Sequence, residues 1–529
     1  MFKFQSSPDK LVKKVTLAAL AVMLCWGLFL VLVQIKPFAI DEWRIIYNLK
    51  FRNASALLGP LEFVQQFPRV YLEVIKAFTS VFDYSYFSLR LPSFLVGTAT
   101  MALAWKLMNR IFGKEQPGRY LLVLIIIASP AFFVHYVEMK QYTMDILLSL
   151  VGIWQLLQLQ DISKGTPFSV RKYLLLCLSF VAAPFFSYTY PIVITPLFFI
   201  VFMYSIRSIR IQKEGLGIVL FRIWLPLIFS AISIVAFYHF DAARLLKDNK
   251  MHLYWQYLMM PDSFDPLLFC KAFYNLFALA GSGLFFEVLI GTLGMMAFFY
   301  SIKECAGSLK KPSWDTEEFI SWYSVCLIII VMVLFTAGKL AIGERRLNIY
   351  LLPVAGILIV TFINRLQQIP ALRKITGAVM TIIITGAVGN VVSAPVNEMM
   401  EKRHNTMLRI YVNTENAIVE ARLKKIPVFI TPAIACPFEK RINYPGTNIA
   451  ANELCIPGYT ERGDENPGPD ILGDWVLKTF PAFIPDGRIA VYAIRDMGEL
   501  TNSMKQLPPD IKAVMAGDGV TYKIVERKD

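Results

Sequence analysis

Histidine and cysteine are scarce here, four and seven in 529 residues, and no Cys-x-x-Cys pair occurs. That scarcity excludes a structural zinc site built on Cys/His ligands and a disulfide-dense scaffold. Charge is thin as well: 17% of residues are Asp, Glu, Lys or Arg, against 56% hydrophobic. A soluble domain carries about 25% charged residues and about 45–50% apolar ones. A mean hydropathy of +0.51 therefore excludes a soluble multidomain protein and leaves a polytopic membrane protein. There is no low-complexity tract, no short internal repeat and no small-residue cleavage site after the first apolar run, so that run is expected to stay as a span.

What is abundant is long apolar segments. Runs able to cross the ~30 Å hydrocarbon layer lie near 12–35, 88–108, 120–134, 142–160, 173–187, 190–206, 217–239, 284–302, 319–337, 347–363 and 375–391, which makes eleven expected spans. The formal charge of +14 is uneven, since residues 391–529 hold 17 basic and 18 acidic side chains. The excess of positive charge thus sits in the membrane part, where it suits anionic headgroups and cytoplasmic loops rather than nucleic acid. Alternate loops are basic, with Lys13, Lys14, Arg110, Arg119, Lys172, Arg210, Lys311 and Arg373 among them, and the positive-inside pattern places the N-terminus in the cytoplasm.

Three longer segments then fall outside. Residues 36–87 contain two amphipathic stretches, 43–51 and 61–78, expected to lie along the membrane surface. Residues 240–283 are expected to form a polar loop able to fold over a cavity. From 391 onward the periodicity changes: a helix over 398–424, strands at 427–431, 489–494 and 522–525, and a helix at 497–506 predict a small α/β extracytoplasmic domain over 391–529. Cys436 and Cys455 are either disulfide partners there or two free thiols.

Three polar clusters interrupt this apolar chain on the outer side. Asp41 and Glu42 follow the first span, where they either cap an interfacial helix or line a polar cavity. Glu138 and Lys140 lie between two spans and either neutralise each other or share that cavity. Lys339, Glu344, Arg345 and Arg346 precede a late span, where the arginines either snorkel or bind an anion, because a guanidinium matches phosphate oxygens two at a time. Acids from early loops with guanidinium groups from a late one suit transfer from a phosphate-linked substrate, which needs a base for the acceptor and positive charge at the leaving group. A transporter or flippase of polyprenyl-linked sugars would instead carry ionisable groups midway along its spans; Asp145 and Glu287 are the two exceptions to the end-of-span placement.

Four places together resemble the glycosyltransferase-C superfamily, in the branch of the protein mannosyltransferases and the lipid A aminoarabinose transferase: Asp41-Glu42, Ser88-Leu89-Arg90-Leu91-Pro92-Ser93, Glu138-Met139-Lys140-Gln141-Tyr142, and Gly343-Glu344-Arg345-Arg346 with Leu351-Leu352-Pro353. The resemblance covers about residues 10–390 and implies a transmembrane helical bundle with a catalytic domain over 1–390. It implies a bacterial inner-membrane enzyme that moves a sugar from a polyprenyl-phosphate donor to a lipid, glycan or protein acceptor with inversion. Asp41 would be the base, Glu42 its support, and Glu138 the second acid of the cavity. Lys140, Arg345 and Arg346, with Lys339 nearby, would hold the lipid phosphate; Arg90 would orient the first loop, and Tyr142 would touch sugar or phosphate. A divalent metal ion stays open, because neither His239 nor His252 aligns with the histidine such a site uses.

Overall fold

The computed structural model describes residues 8–33, 42, 45–46, 48–49, 52–61, 65–82, 85–113, 116–164, 169–207, 209, 216–243, 255–309, 311, 314–404, 428–430, 488–493, 511–515 and 522–527. Among these, eight helices are long and apolar enough to cross a membrane, at 10–33, 86–111, 142–163, 220–242, 283–308, 316–336, 345–367 and 370–397. The chain is an integral membrane protein. Shorter apolar helices occupy 118–128, 190–206 and 266–278.

The apolar runs form helices because a bilayer leaves their backbone groups no partners but one another; proline interrupts some of them and is carried inside others, as Pro92, Pro196 and Pro395 are. One interruption falls inside an expected span. The apolar run at 120–134 splits into Leu121–Ala128 and Pro130–His135, because Ser129 takes an extended backbone and Pro130 starts a new helix. Similarly, helix Val170–Ala182 tightens into a turn at Ala183–Phe186, breaks at Ser187 and resumes as Tyr190–Arg207. The expected polar loop at 240–283 instead contains helix Pro266–Ala278. Asp265 caps it by accepting from the Leu267 and Leu268 amides at 2.9 and 3.1 Å. The break expected after the last span is also not found: one helix, Arg373–His404, runs through Pro395.

Proximity of Cα atoms divides the chain into two units: residues 1–29, 67–71 and 91–396, and residues 30–66, 72–90 and 397–529. In the first unit, the helix at 345–367 lies at the centre, with 94% of its apolar window buried, whereas the helix at 370–397 buries only 28% and turns most of its surface outward. Helix Leu352–Gln367 packs on Gly283–Ser308 and Leu121–Ala128, and Pro266–Ala278 packs along Gly283–Ser308. Gly291 and Gly294 permit that last approach, since a Cβ at either would overlap Tyr274 or Phe277.

In the second unit, four strands, β1 Val428–Ile430, β2 Arg488–Ala493, β3 Ile511–Met515 and β4 Tyr522–Arg527, pair in the order β1-β2-β4-β3. The β1–β2 pair is parallel and the others antiparallel. Three of these strands coincide with expected ones; β3 was not foreseen. Cys436, Cys455 and the expected helix at 497–506 lie outside the described residues. In the same unit the Lys76 ammonium donates to the backbone carbonyls of Leu49 and Arg52 at 2.6 and 2.5 Å.

Candidate active site

Asp41 lies outside the described residues. Its neighbour Glu42 is helical and 1% exposed, and it meets Arg90, itself 0% exposed, in a two-point ion pair: Nη1 to Oε1 at 2.9 Å and Nη2 to Oε2 at 3.3 Å. Arg90 sits in the first turns of helix Tyr86–Ile111, its guanidinium 5.2 Å from the centre of the Tyr86 ring. Ser85 and Ser88 fix the start of that helix by exchanging bonds, each hydroxyl accepting from the other's amide at 3.1–3.2 Å. A cap, a cation and a carboxylate 48 residues upstream are therefore held in one rigid arrangement.

The second acid is positioned in the first unit by a wedge. Residues 136–140 form a bend between helices Pro130–His135 and Tyr142–Ser163. At its start the Tyr136 ring lodges where only glycine leaves room, since a Cβ at Gly27 or Gly97 would overlap it. Its hydroxyl lies 3.3 Å from Thr98 Oγ1, and burial pushes the phenol further above its ordinary range. So anchored, the bend turns back on itself through Lys140 N donating to the Glu138 carbonyl at 2.8 Å. Glu138 and Lys140 are both buried, and Glu138 Oε2 lies 2.5 Å from His135 Nδ1. The His135 ring in turn packs 4.6 Å from that of Tyr142, which is also buried. His135 was not among the expected site residues. Its signal was the His-x-x-Glu spacing, which puts the two side chains on one side of a helical turn.

The late basic cluster begins with Lys339, which is exposed. Gly343 follows, at φ +141, and lets the chain turn into Arg345–Leu351. Arg345 donates to the Gly281 carbonyl at 3.0 Å and pairs with Glu287, in the second turn of helix Gly283–Ser308. Arg346 stands 5.5 Å from the Trp255 ring centre and 3.5 Å from Glu344. A cleft is lined here by Asn275, Glu287, Gly343, Glu344, Arg345 and Asn348. Both helices that flank the Glu138 bend pack against Arg345–Leu351. The structure thus brings the Glu138–Lys140 bend beside the Arg345 segment, within one compact unit.

Among the described residues no three His, Cys, Asp or Glu side chains cluster closely enough to hold an ion. His135 and Glu138 supply two donors, with no third among the described residues; His239 packs on Tyr238, and His252 lies outside the described residues.

Residues 68–233 match the family model for dolichyl-phosphate-mannose-protein mannosyltransferases, a stretch that includes Arg90, Glu138, Lys140 and Tyr142. Two crystal structures of ArnT from Cupriavidus metallidurans resemble the whole chain. The form bound to undecaprenyl phosphate aligns over 98% of each chain with a TM-score of 0.54 at 12% identity. The apo form aligns over 98% of each with a TM-score of 0.53 at 13% identity. The chain shares the fold of these two ArnT structures. No curated protein sequence matches the chain.

Proposed function

We propose that the chain is an integral-membrane glycosyltransferase that moves a sugar from a polyprenyl-phosphate donor to a lipid, glycan or protein acceptor on the extracytoplasmic face. The observation that carries this reading is that both helices flanking the buried Glu138–Lys140 bend pack against Arg345–Leu351, which brings an acid and a guanidinium to neighbouring elements of one unit. The family match over residues 68–233 and the fold shared with ArnT support it.

In the reaction, Asp41 takes the proton of the acceptor hydroxyl as its oxygen attacks the anomeric carbon from the face opposite the phosphate. The carbon–oxygen bond to phosphate breaks, the configuration inverts, and polyprenyl phosphate leaves as an anion. Lys140, Arg345 and Arg346 stabilise that developing charge, a contribution larger in a low-dielectric site than in water. Glu42, fixed by Arg90, supports the Asp41 turn, Tyr142 contacts sugar or phosphate, and Glu138 is held in place by His135. Arg345 already has a partner in Glu287, so phosphate binding exchanges one anion for another. The outer-face orientation, with a cytoplasmic N-terminus and residues 391–529 as an outer domain over a bacterial inner membrane, follows from the basic loops. A transporter is less well served, because Glu138 and Glu287 stand at helix ends rather than mid-span.

The test is to incubate the purified full chain with a panel of polyprenyl-phosphate sugars and candidate acceptors. Release of free polyprenyl phosphate with sugar on the acceptor is expected for one donor. Movement of intact donor across a vesicle bilayer, without cleavage, would replace this reading with transport.

A further inference from the structure

The turn that carries Arg345 holds a polar side chain the transfer scheme does not use. Arg345–Leu351 is a 3-10 helix, in which side chains three residues apart eclipse one another, about 6 Å along the axis. Asn348 therefore stands on the same face as Arg345, and both line the cleft of about 50 Å³ that Glu287 and Glu344 also line. It is 2% exposed. Its Nδ2 donates to the carbonyls of Ala341 at 3.2 Å and Glu344 at 3.5 Å. Those bonds fix which way the amide lies, since turning it over would set its oxygen against two carbonyl oxygens. Among the described residues, Asn348 Oδ1 is buried and finds no hydrogen-bond partner.

The charged groups around it answer one another, Arg345 with Glu287 and the Gly281 carbonyl, Arg346 with Glu344. Asn348 Oδ1 is left as a buried acceptor, and a buried acceptor needs a donor. A fully ionised phosphate cannot serve, because its oxygens only accept. A hydroxyl or an N–H can. The cleft has room for one small polar group and none for a whole sugar ring. If Arg345 holds the lipid phosphate, as the proposed function has it, the donating group closest to that phosphate is the one on C2 of the sugar, next to the anomeric carbon that bears it.

We propose that Asn348 is a specificity-determining residue, whose Oδ1 accepts a hydrogen bond from the C2 hydroxyl or C2 N–H of the donor sugar. Phosphate and C2 substituent are read from one face of one 3-10 helix, the first by Arg345 and the second by Asn348. A donor with only hydrogen at C2 leaves Oδ1 unanswered. The assignment rests on the glycosyltransferase reading and narrows its donor class.

The experiment titrates three ligands into the detergent-purified full chain at pH 8. They are undecaprenyl phosphate, the polyprenyl-phosphate sugar singled out by the donor panel, and the 2-deoxy counterpart of that sugar donor. Wild type is expected to bind the 2-deoxy donor about tenfold more weakly than the parent. Asn348→Ala is expected to bind the two sugar donors alike. Comparing the two donors within each protein sets aside the hold of Nδ2 on the turn, whose loss weakens all three ligands together. Equal affinity of wild type for both donors would overturn the assignment, even if Asn348→Ala folds poorly. So would a tenfold preference for the parent that survives in Asn348→Ala, or a panel donor with neither hydroxyl nor N–H at C2. Failure of undecaprenyl phosphate and of every sugar donor to bind would instead remove the glycosyltransferase reading itself.

Discussion

Arg90 and Glu42, 48 residues apart in sequence and both almost fully buried, close on each other through two hydrogen bonds of 2.9 and 3.3 Å. Removing one member of a buried ion pair costs about 3–5 kcal/mol because the other is left charged and dry. Arg90→Leu is therefore expected to destabilise the protein by that order, and the double variant Arg90→Leu/Glu42→Leu to recover most of it. A double-mutant cycle on melting temperatures checks this; additive losses would mean that the pair is not coupled.

The glycine wedge gives a second expectation. Gly97→Ala forces a methyl into the Tyr136 ring, and overpacking of this kind costs about 1–3 kcal/mol. Because Tyr136 begins the bend that carries Glu138, turnover should fall along with melting temperature. In Gly97→Ala/Tyr136→Leu, where the ring is gone, the methyl should be tolerated and the melting temperature should rise again.

Exchange of anions at Arg345 predicts a gain rather than a loss. Glu287→Gln removes the competitor for the guanidinium, and a half-exposed pair of this type is worth about 0.2–1 kcal/mol. Affinity for polyprenyl phosphate should rise by up to about fivefold, while Arg345→Gln should lower it. Isothermal titration in detergent separates the two, and weaker binding in Glu287→Gln would show that Glu287 holds Arg345 in place rather than competing for it.

Two groups on helix Arg69–Val81 predict a pH dependence. Burial raises the Glu73 carboxyl above its ordinary 4.5, with Lys76 opposing, and burial lowers Lys76 below its ordinary 10.5, with Glu73 opposing. Between 4.5 and the raised value the folded chain binds more protons at Glu73 than the unfolded one, so stability falls there as pH climbs. Lys76 acts in the opposite sense, its contribution growing as pH rises towards 10.5. Melting curves of wild type and Glu73→Gln should converge below pH 4.5, with the variant the more stable at neutral pH.

Much of the membrane part was legible because a bilayer demands about twenty consecutive apolar residues and the chain shows such runs openly. The 173–206 region divides at Ser187, between the runs expected at 173–187 and 190–206. Helix Pro266–Ala278 was missed for a matching reason: thirteen residues do not span a membrane, and the aromatic, polar text around it read as loop. Its Asp265-Pro266 start was nevertheless a helix-initiation signal in plain view. At the site, the acids and arginines stood out as costly residues beside a bilayer. Their partners were less legible: the resemblance tied Arg90 to the first loop without naming Glu42, and nothing near Arg345 announces Glu287, because such pairings are set by tertiary packing. Asp145 read as an exception in an apolar run; its partner Ser187 stands 42 residues away at a break that only the fold brings to it.

The central claim is that an acid after the first span activates the acceptor while basic side chains hold the departing lipid phosphate. Its most direct test is sugar transfer by Asp41→Asn, measured together with donor binding. Loss of a general base slows turnover by about 10²–10⁴-fold, so transfer should collapse to that extent while the affinity for the polyprenyl-phosphate sugar stays within about twofold of wild type. Near-normal transfer by Asp41→Asn would contradict the account.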